Sequence, residues 1–208
     1  MAPKKKEVLY ILDLIGTFAF AISGTLAAAN KRLDIFGALM MAAVTGVGGG
    51  TLRDLILGAH PVAWASDYNY LIVISAATAF TFAFRKTVSK LRKTLFLFDT
   101  VGIGVFTVMG LEKALNYGIL PGVAVVMGTF TAVMGGAIRD TLCNEIPLIF
   151  RKEIYATACF VGGILYLILN HFEINNVLNT CLTVFTIICI RLFSIKYHLQ
   201  LPVLPEEA

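Results

Sequence analysis

Six ionisable residues stand inside stretches that are otherwise apolar: Asp13, Arg53, Asp54, Asp99, Arg139 and Asp140. A charge at the centre of a membrane helix costs about 2.5–3.5 kcal/mol on insertion scales, so such residues pair with one another or line a wet path. The dipeptide Arg-Asp occurs twice, and small residues precede it each time. Thr45, Gly46, Gly48, Gly49 and Gly50 stand before Arg53-Asp54, and Thr131, Gly135 and Gly136 stand before Arg139-Asp140. Glycine has no Cβ, so it permits either unwinding or the close approach of a second backbone. Where a membrane helix opens, the freed carbonyls can hold a cation and the freed N–H groups an anion or carboxylate. The chemistry open to these residues is passage of an ion or a small zwitterion.

The rest of the sequence agrees. Of 208 residues, 58% are apolar and 14% charged, and the mean hydropathy is +0.81. Soluble domains carry about 25% charged residues, so this composition is that of an integral membrane protein. His60, His171 and His198 are scattered near segment ends, and no metal-ligand spacing exists. Cys143, Cys159, Cys181 and Cys189 lie in or beside apolar segments and read as small buried hydrophobes. Phosphate loops, nucleophile elbows and RNA-binding signatures are missing from the sequence. The expectation is a non-enzyme with no catalytic residue, metal or cofactor and no nucleic-acid partner.

A membrane-crossing helix needs about 20 apolar residues. Seven segments qualify: Val8–Ala29, Ile35–Leu57, Tyr68–Phe84, Thr94–Leu115, Ile119–Cys143, Ile154–Asn170 and Ile174–Phe193. Short polar links separate them, none long enough for a soluble domain. The first segment, after "MAPKKK" and before "LAAAN", has some features of a signal peptide. It is nevertheless long enough to span, and it is copied later in the chain.

The copy appears on a shift of 86 residues, which carries Asp13 onto Asp99. The same shift places Gly16 on Gly102, Phe20 on Phe106, Gly24 on Gly110 and Asn30 on Asn116. It also places Thr45 on Thr131, Gly49-Gly50 on Gly135-Gly136, Arg53-Asp54 on Arg139-Asp140, and Pro61 on Pro147. Apolar composition alone does not align Asp, Asn, Arg-Asp and Pro in one register. Each copy holds three segments, an odd number, so the second enters the membrane from the opposite face. The expected fold is an all-α membrane protein of seven transmembrane helices, a 3+3 inverted repeat plus one. It forms a single membrane domain, with repeat one over 8–84, repeat two over 94–170 and an extra helix over 174–193. Helices two and five are expected to be kinked or interrupted at their glycines, near the midplane.

Charge sets the orientation. Lys4, Lys5, Lys6 and Lys113 fall on one side. Lys31, Arg32, Arg85, Lys86, Lys90, Arg92, Lys93, Arg151, Lys152, Arg191 and Lys196 fall on the other. The positive-inside rule assigns the larger set to the cytoplasm, with the N-terminus outside and the C-terminus inside. Trp64 and Tyr68 read as interfacial anchors, the basic link 85–93 as topology-setting with lipid headgroups as a further partner, and the tail from Leu201 as disordered.

Depth suggests partners for the intramembrane charges. One scheme pairs Asp13 with Arg53 and Asp99 with Arg139, and another crosses the repeats, Arg53 to Asp140 and Arg139 to Asp54. Helical spacing does not separate them. Nor does it decide whether the charges clamp the kinks or line a pathway, where carboxylates would favour cations.

"GGGTLRD" and "GGAIRD" in a seven-segment chain resemble the trimeric intracellular cation (TRIC) channel family. "NKRLDIFGALMMAAVTGVGGGTLRDLILGAHPVAW" is similar to the signature region of its prokaryotic group, which overlaps small membrane proteins described as glycine transporters. The resemblance covers essentially the whole chain. It implies a homotrimer with one pore per protomer, bounded by the two glycine-kinked helices and passing K⁺ and Na⁺ with little discrimination. By motif position it carries over Gly48, Gly49, Gly50, Arg53 and Asp54, and Gly135, Gly136, Arg139 and Asp140. Met134 departs from the pattern where the first copy has Gly48. The chain lacks the long polar tail of animal members, so a bacterial or archaeal plasma (inner) membrane is the expected location. The alternative to a passive channel is a secondary transporter for a small zwitterion such as glycine.

Overall fold

The structure, a computed structural model, describes residues 3–84 and 94–202, with the side chains of 3–6 and 94 left aside. The basic link 85–93 and the tail 203–208 lie outside the described residues. The described residues form seven α-helices: α1 (Pro3–Asn30), α2 (Ile35–Leu57), α3 (Tyr68–Ala83), α4 (Thr94–Asn116), α5 (Pro121–Leu142), α6 (Ala156–His171) and α7 (Asn176–Tyr197). Apart from a lone bridge between Glu153 and Gln200, the described residues contain no β-structure. Five of the helices are long and apolar enough to cross a membrane. α3 and α6 have 16 residues each, roughly 24 Å of helix, shorter than a hydrocarbon core of about 30 Å.

Local signals set the ends. The Asp34 carboxylate accepts from the Gly37 N–H and caps α2, which closes at Gly58 in the left-handed region, φ 68°. Asp67 caps α3 by accepting from the Asn69 N–H. Pro121 occupies the first turn of α5, where its missing N–H costs no helical bond. Asn175 caps α7.

The helices form two three-helix units and a seventh that leans on the second. α1 packs on α2 and α3, α4 packs on α5 and α6, and α7 packs on α4 and α6. Each unit has its own apolar core, Ala21, Ile22, Leu26, Ala42, Ile74 and Ala77 in one and Val108, Leu111, Ala114, Ala124, Val125 and Tyr166 in the other. A third core joins the units, with Phe20 and Phe106 at its centre, ring centroids 5.2 Å apart. Gly16 faces Phe106 while Gly102 faces Phe20. Residues related by the 86-residue shift thus meet across one axis.

The expected interruption of α2 and α5 is not found: both are continuous α-helix through their glycines. The missing side chains serve backbone contact instead. A Cβ on Gly49 would fall inside the Thr131 carbonyl oxygen, and one on Gly135 inside that of Thr45. Keeping the helix avoids stranding peptide groups in the membrane. One turn earlier, the Thr45 hydroxyl donates to the Met41 carbonyl at 2.6 Å and that of Thr131 to Met127 at 2.7 Å, a bond that bends helices without breaking them.

Candidate functional site

The contact between α2 and α5 is the centre of the molecule, and threonine is its wedge. The Thr45 hydroxyl rests on Gly24 of its own unit, and its carbonyl rests on Gly135 of the other. Thr131 repeats this, its hydroxyl on Gly110 and its carbonyl on Gly49. Gly24 and Gly110 therefore matter to the site as much as the glycines of the motif. Gly48 faces side chains alone, Ile138 at 3.2 Å and Val44 at 4.0 Å from where a Cβ would stand.

A polar cluster lies on each side of this contact. At the Lys113 end, Asp54 is the hub. Its Oδ1 accepts from Arg53 Nε at 2.8 Å and from Lys113 Nζ at 2.7 Å, and its Oδ2 accepts from the Ala63 N–H at 3.1 Å. Asp13 accepts from the Tyr70 hydroxyl. At the other end Arg139 is the hub. Its Nη1 donates to Asp99 Oδ1 and to Ser23 Oγ, both at 2.6 Å, and its Nε donates to Asp140 Oδ1 at 2.8 Å. Asp140 Oδ2 accepts from the Leu148 N–H at 3.1 Å. In each cluster the Asp of Arg-Asp thus fastens the following link to the end of its helix.

Of the pairs suggested by depth, Asp99–Arg139 forms. Asp13–Arg53 does not: among the described residues Asp13 makes no ion pair, because Arg53 turns to its neighbour Asp54 and Tyr70 satisfies the aspartate. Neither cross-repeat pair forms among the described residues. Arg139, Asp99 and Ser23 are fully buried.

Two cavities open around the first cluster. One of 20 Å³ is lined by Asp13, Thr17, Gly46, Gly50, Arg53 and Asp54, among others, room for about one water. A vestibule of 430 Å³ adjoins it, sharing Asp13, Arg53 and Ala63 and adding Tyr10, Glu112, Lys113 and Asn116. Outside the membrane-spanning segments, Asp67 accepts the Tyr10 hydroxyl at 2.5 Å, which holds its carboxyl below the usual range. Trp64 donates to the Thr51 hydroxyl at 3.0 Å, while Tyr68 is exposed at the start of α3.

Sequence reasoning missed the tyrosines, which come from the third helix of one unit and the link before the third helix of the other. The Tyr155 hydroxyl lies beside Gly136, 3.0 Å from where a Cβ would stand, next to Asp99. Arg191, assigned by its sequence position to the cytoplasmic set, is fully buried. It donates to the Ile154 carbonyl at 2.6 Å and stacks on the Tyr155 ring at 4.9 Å. Glu112 was also missed: it stands within α4, is 4% exposed, and accepts the Tyr166 hydroxyl at 2.5 Å.

With this geometry in view, similarity to known proteins is extensive. A family model described as "Glycine transporter" matches twice, over residues 10–86 and 96–171. A UPF0126 membrane protein of Vibrio cholerae is 41% identical over 94% of this chain and 82% of its own length. The UPF0126 inner membrane protein YadS of Escherichia coli K12 is 42% identical over 94% of this chain and 95% of its own. Among solved structures, the TRIC channel orthologue from Rhodobacter sphaeroides is 37% identical, with a TM-score of 0.87 over 92% of this chain and 99% of that one. A prokaryotic TRIC channel in 0.5 M KCl is 33% identical, also with a TM-score of 0.87, over 93% and 98%. Matched along nearly its whole length in both sequence and fold, the chain belongs to the TRIC family, in the prokaryotic group that shares the glycine-transporter model and the UPF0126 name.

Proposed function

We propose that the protein is a passive channel for monovalent cations, K⁺ and Na⁺, in a bacterial or archaeal inner membrane. It works as a homotrimer with a separate path through each protomer, alongside α2 and α5, and needs no cofactor beyond the permeant ions and the surrounding lipid. The N-terminus faces outside and the C-terminus the cytoplasm. One observation carries this reading: a water-sized cavity beside the α2 glycines, walled by Asp13, Asp54 and Thr17 and sharing wall residues with a larger vestibule, in a chain whose structural neighbours are cation channels. Carboxylates on such a wall favour cations.

The conformation described is closed on this reading. Lys113 sits on Asp54 at the vestibule end, and Arg139 fills the far side of the α2–α5 contact with no exposed surface. Conduction requires that Arg139 exchange some of its partners for water and that the α2–α5 contact loosen. Both glycine runs then act as the flexible part of the path, and both Arg-Asp pairs as its clamps and its walls.

The competing reading is transport of a zwitterion, and the description of the family model favours it. Reconstitution into planar bilayers separates the two. Discrete unitary currents that reverse at the K⁺ potential support the channel. Saturable uptake of labelled glycine by proteoliposomes, with no unitary current, overturns it.

A further inference from the structure

The two Arg-Asp clusters share their residue types but not their filling. The 86-residue shift carries Asp13, Gly50, Arg53 and Asp54 onto Asp99, Gly136, Arg139 and Asp140. The first four line the 20 Å³ cavity, and a Cβ on Gly50 would meet only Arg53 Nη2, at 3.6 Å. Over Gly136 the matching place is taken. A Cβ there would stand 3.0 Å from the Tyr155 hydroxyl, 3.4 Å from Asp99 Oδ1 and 3.5 Å from Arg139 Nη2. The phenol thus enters the second cluster at the position that borders open space in the first.

Its hydroxyl is not bonded to the cluster it enters. Tyr70 donates to Asp13, whereas the buried Tyr155 hydroxyl has no hydrogen-bond partner among the described residues, and neither has Asp99 Oδ2. A buried hydroxyl left unpaired is costly, so the hold on this ring comes from elsewhere. It comes from α7. The fully buried Arg191 places its guanidinium over the Tyr155 ring, 4.9 Å from the centroid, a favourable seat for a desolvated cation. Its Nη1 donates to the Ile154 carbonyl at 2.6 Å, and its Nη2 lies 3.5 Å from Glu153 Oε2. Just past α7, the Leu201 N–H donates to the Lys152 carbonyl at 2.8 Å, and Gln200 bridges to Glu153. Residues 152–155 are therefore gripped by the helix that stands outside the repeat.

We infer that Tyr155 is the stopper of the path at its Arg139 end, and that Arg191 is the positioning residue that holds the stopper in place. The assignment rests on the channel reading above. With the phenol seated, the place over Gly136 is closed. When the ring withdraws, water enters and supplies partners to the Tyr155 hydroxyl and to Asp99 Oδ2. The unpaired hydroxyl therefore favours opening, while the bulk of the ring and its stack on Arg191 favour closure. The two halves of one side chain pull the same equilibrium in opposite directions.

The test uses the full-length protein in planar bilayers, with open probability and unitary K⁺ conductance measured separately. Tyr155→Phe keeps the ring and removes the unpaired hydroxyl, so open probability is expected to fall about five-fold or more, the factor that goes with the lower end of the cost of such a group. Tyr155→Leu removes the stopper, and open probability is expected to rise above that of wild type. Arg191→Met frees the ring and also raises it, with unitary conductance unchanged. In the Tyr155→Leu background Arg191→Met adds nothing further, because Arg191 acts through the ring. Damage to packing alone moves both Tyr155 variants in the same direction. Open probability at or below wild type in Tyr155→Leu overturns the stopper. So does a Tyr155→Phe channel that opens as often as wild type or more often, which covers the case in which Tyr155→Leu does not fold. Additive effects of Arg191→Met and Tyr155→Leu overturn the role of Arg191. Absence of any wild-type K⁺ current overturns the channel reading and the assignment together.

Discussion

Gly49 of α2 lies against the carbonyl oxygen of Thr131 in α5, and the same contact recurs in mirror form between Gly135 and Thr45. Two continuous helices touch backbone to backbone at these points. A side chain at either glycine has no space to enter, and the atom it meets is main chain, which yields far less readily than the end of a flexible side chain.

Gly49→Ala and Gly135→Ala are each expected to destabilise the fold by roughly 1–3 kcal/mol, the usual cost of overpacking. Gly48→Ala meets only the side chains of Ile138 and Val44 and is milder. Gly122→Ala meets nothing within 4 Å and is neutral or slightly stabilising. Thermal melts in detergent order the four variants. Equal melting temperatures for Gly49→Ala and Gly122→Ala would show that the close contact is not formed.

Arg139 is expected to be far less replaceable than Arg53. It satisfies Asp99, Asp140 and Ser23 with no exposed surface, whereas Arg53 borders a cavity. Arg139→Met leaves a buried Asp99 without its cation and costs roughly 3–5 kcal/mol, as for other broken buried pairs. The double variant Arg139→Met/Asp99→Asn recovers part of that loss. A melting temperature for the double variant below that of Arg139→Met contradicts the pairing.

Asp54→Asn and Asp140→Asn are expected to differ in conduction as well as stability. Asp54 lines the water-sized cavity and holds both Arg53 and Lys113. Its neutralisation leaves two cations facing the path and lowers unitary K⁺ conductance several-fold. Asp140 holds Arg139, whose side chain is fully buried, so Asp140→Asn acts mainly on opening frequency. Unitary conductance and open probability, measured separately, distinguish the two.

Acid is expected to loosen the junction between the links on the C-terminal side. Lys31 donates to Glu145 at 2.7 Å and holds its carboxyl below the ordinary range. A depressed folded value means that this contribution is complete above the ordinary glutamate range, near pH 4.3. It is lost as pH falls through the depressed value. The pair is exposed, so the effect is small. Melting temperature as a function of pH between 3 and 7 should flatten slightly in Glu145→Gln, and an unchanged pH profile removes the pair from the account.

The seven helices were legible because the hydrocarbon core imposes a length and composition that the chain records directly. For α2 the expected bounds, Ile35 to Leu57, coincide with the helix. Depth offered the Asp99–Arg139 pair as one of two schemes, since both residues sit toward the same end of neighbouring helices, and the structure forms it. Asp13–Arg53 has the same depths and failed, because Tyr70 reaches Asp13 from α3 and depth says nothing about which helix lies beside which face. The burial of Arg191 was hidden for the same reason: its position marks the helix end it occupies, not the side on which Tyr155 waits. The glycine runs announced a special backbone, but glycine licenses unwinding and close contact equally. Only the partner chain segment, 82 residues beyond Gly49 at Thr131, reveals which one is used.

That separation bears on how the protein is made. The carbonyl that Gly49 packs against and the ring that Phe20 faces both belong to the second unit. When the ribosome has delivered α1 to α3, those surfaces have no mate and must wait in lipid or beside an insertion factor. The contact closes only once α5 has been threaded in the opposite sense, so biogenesis has a late committed step. Any delay or misorientation of the second unit leaves the first with an uncovered seam, a natural mark for membrane quality control.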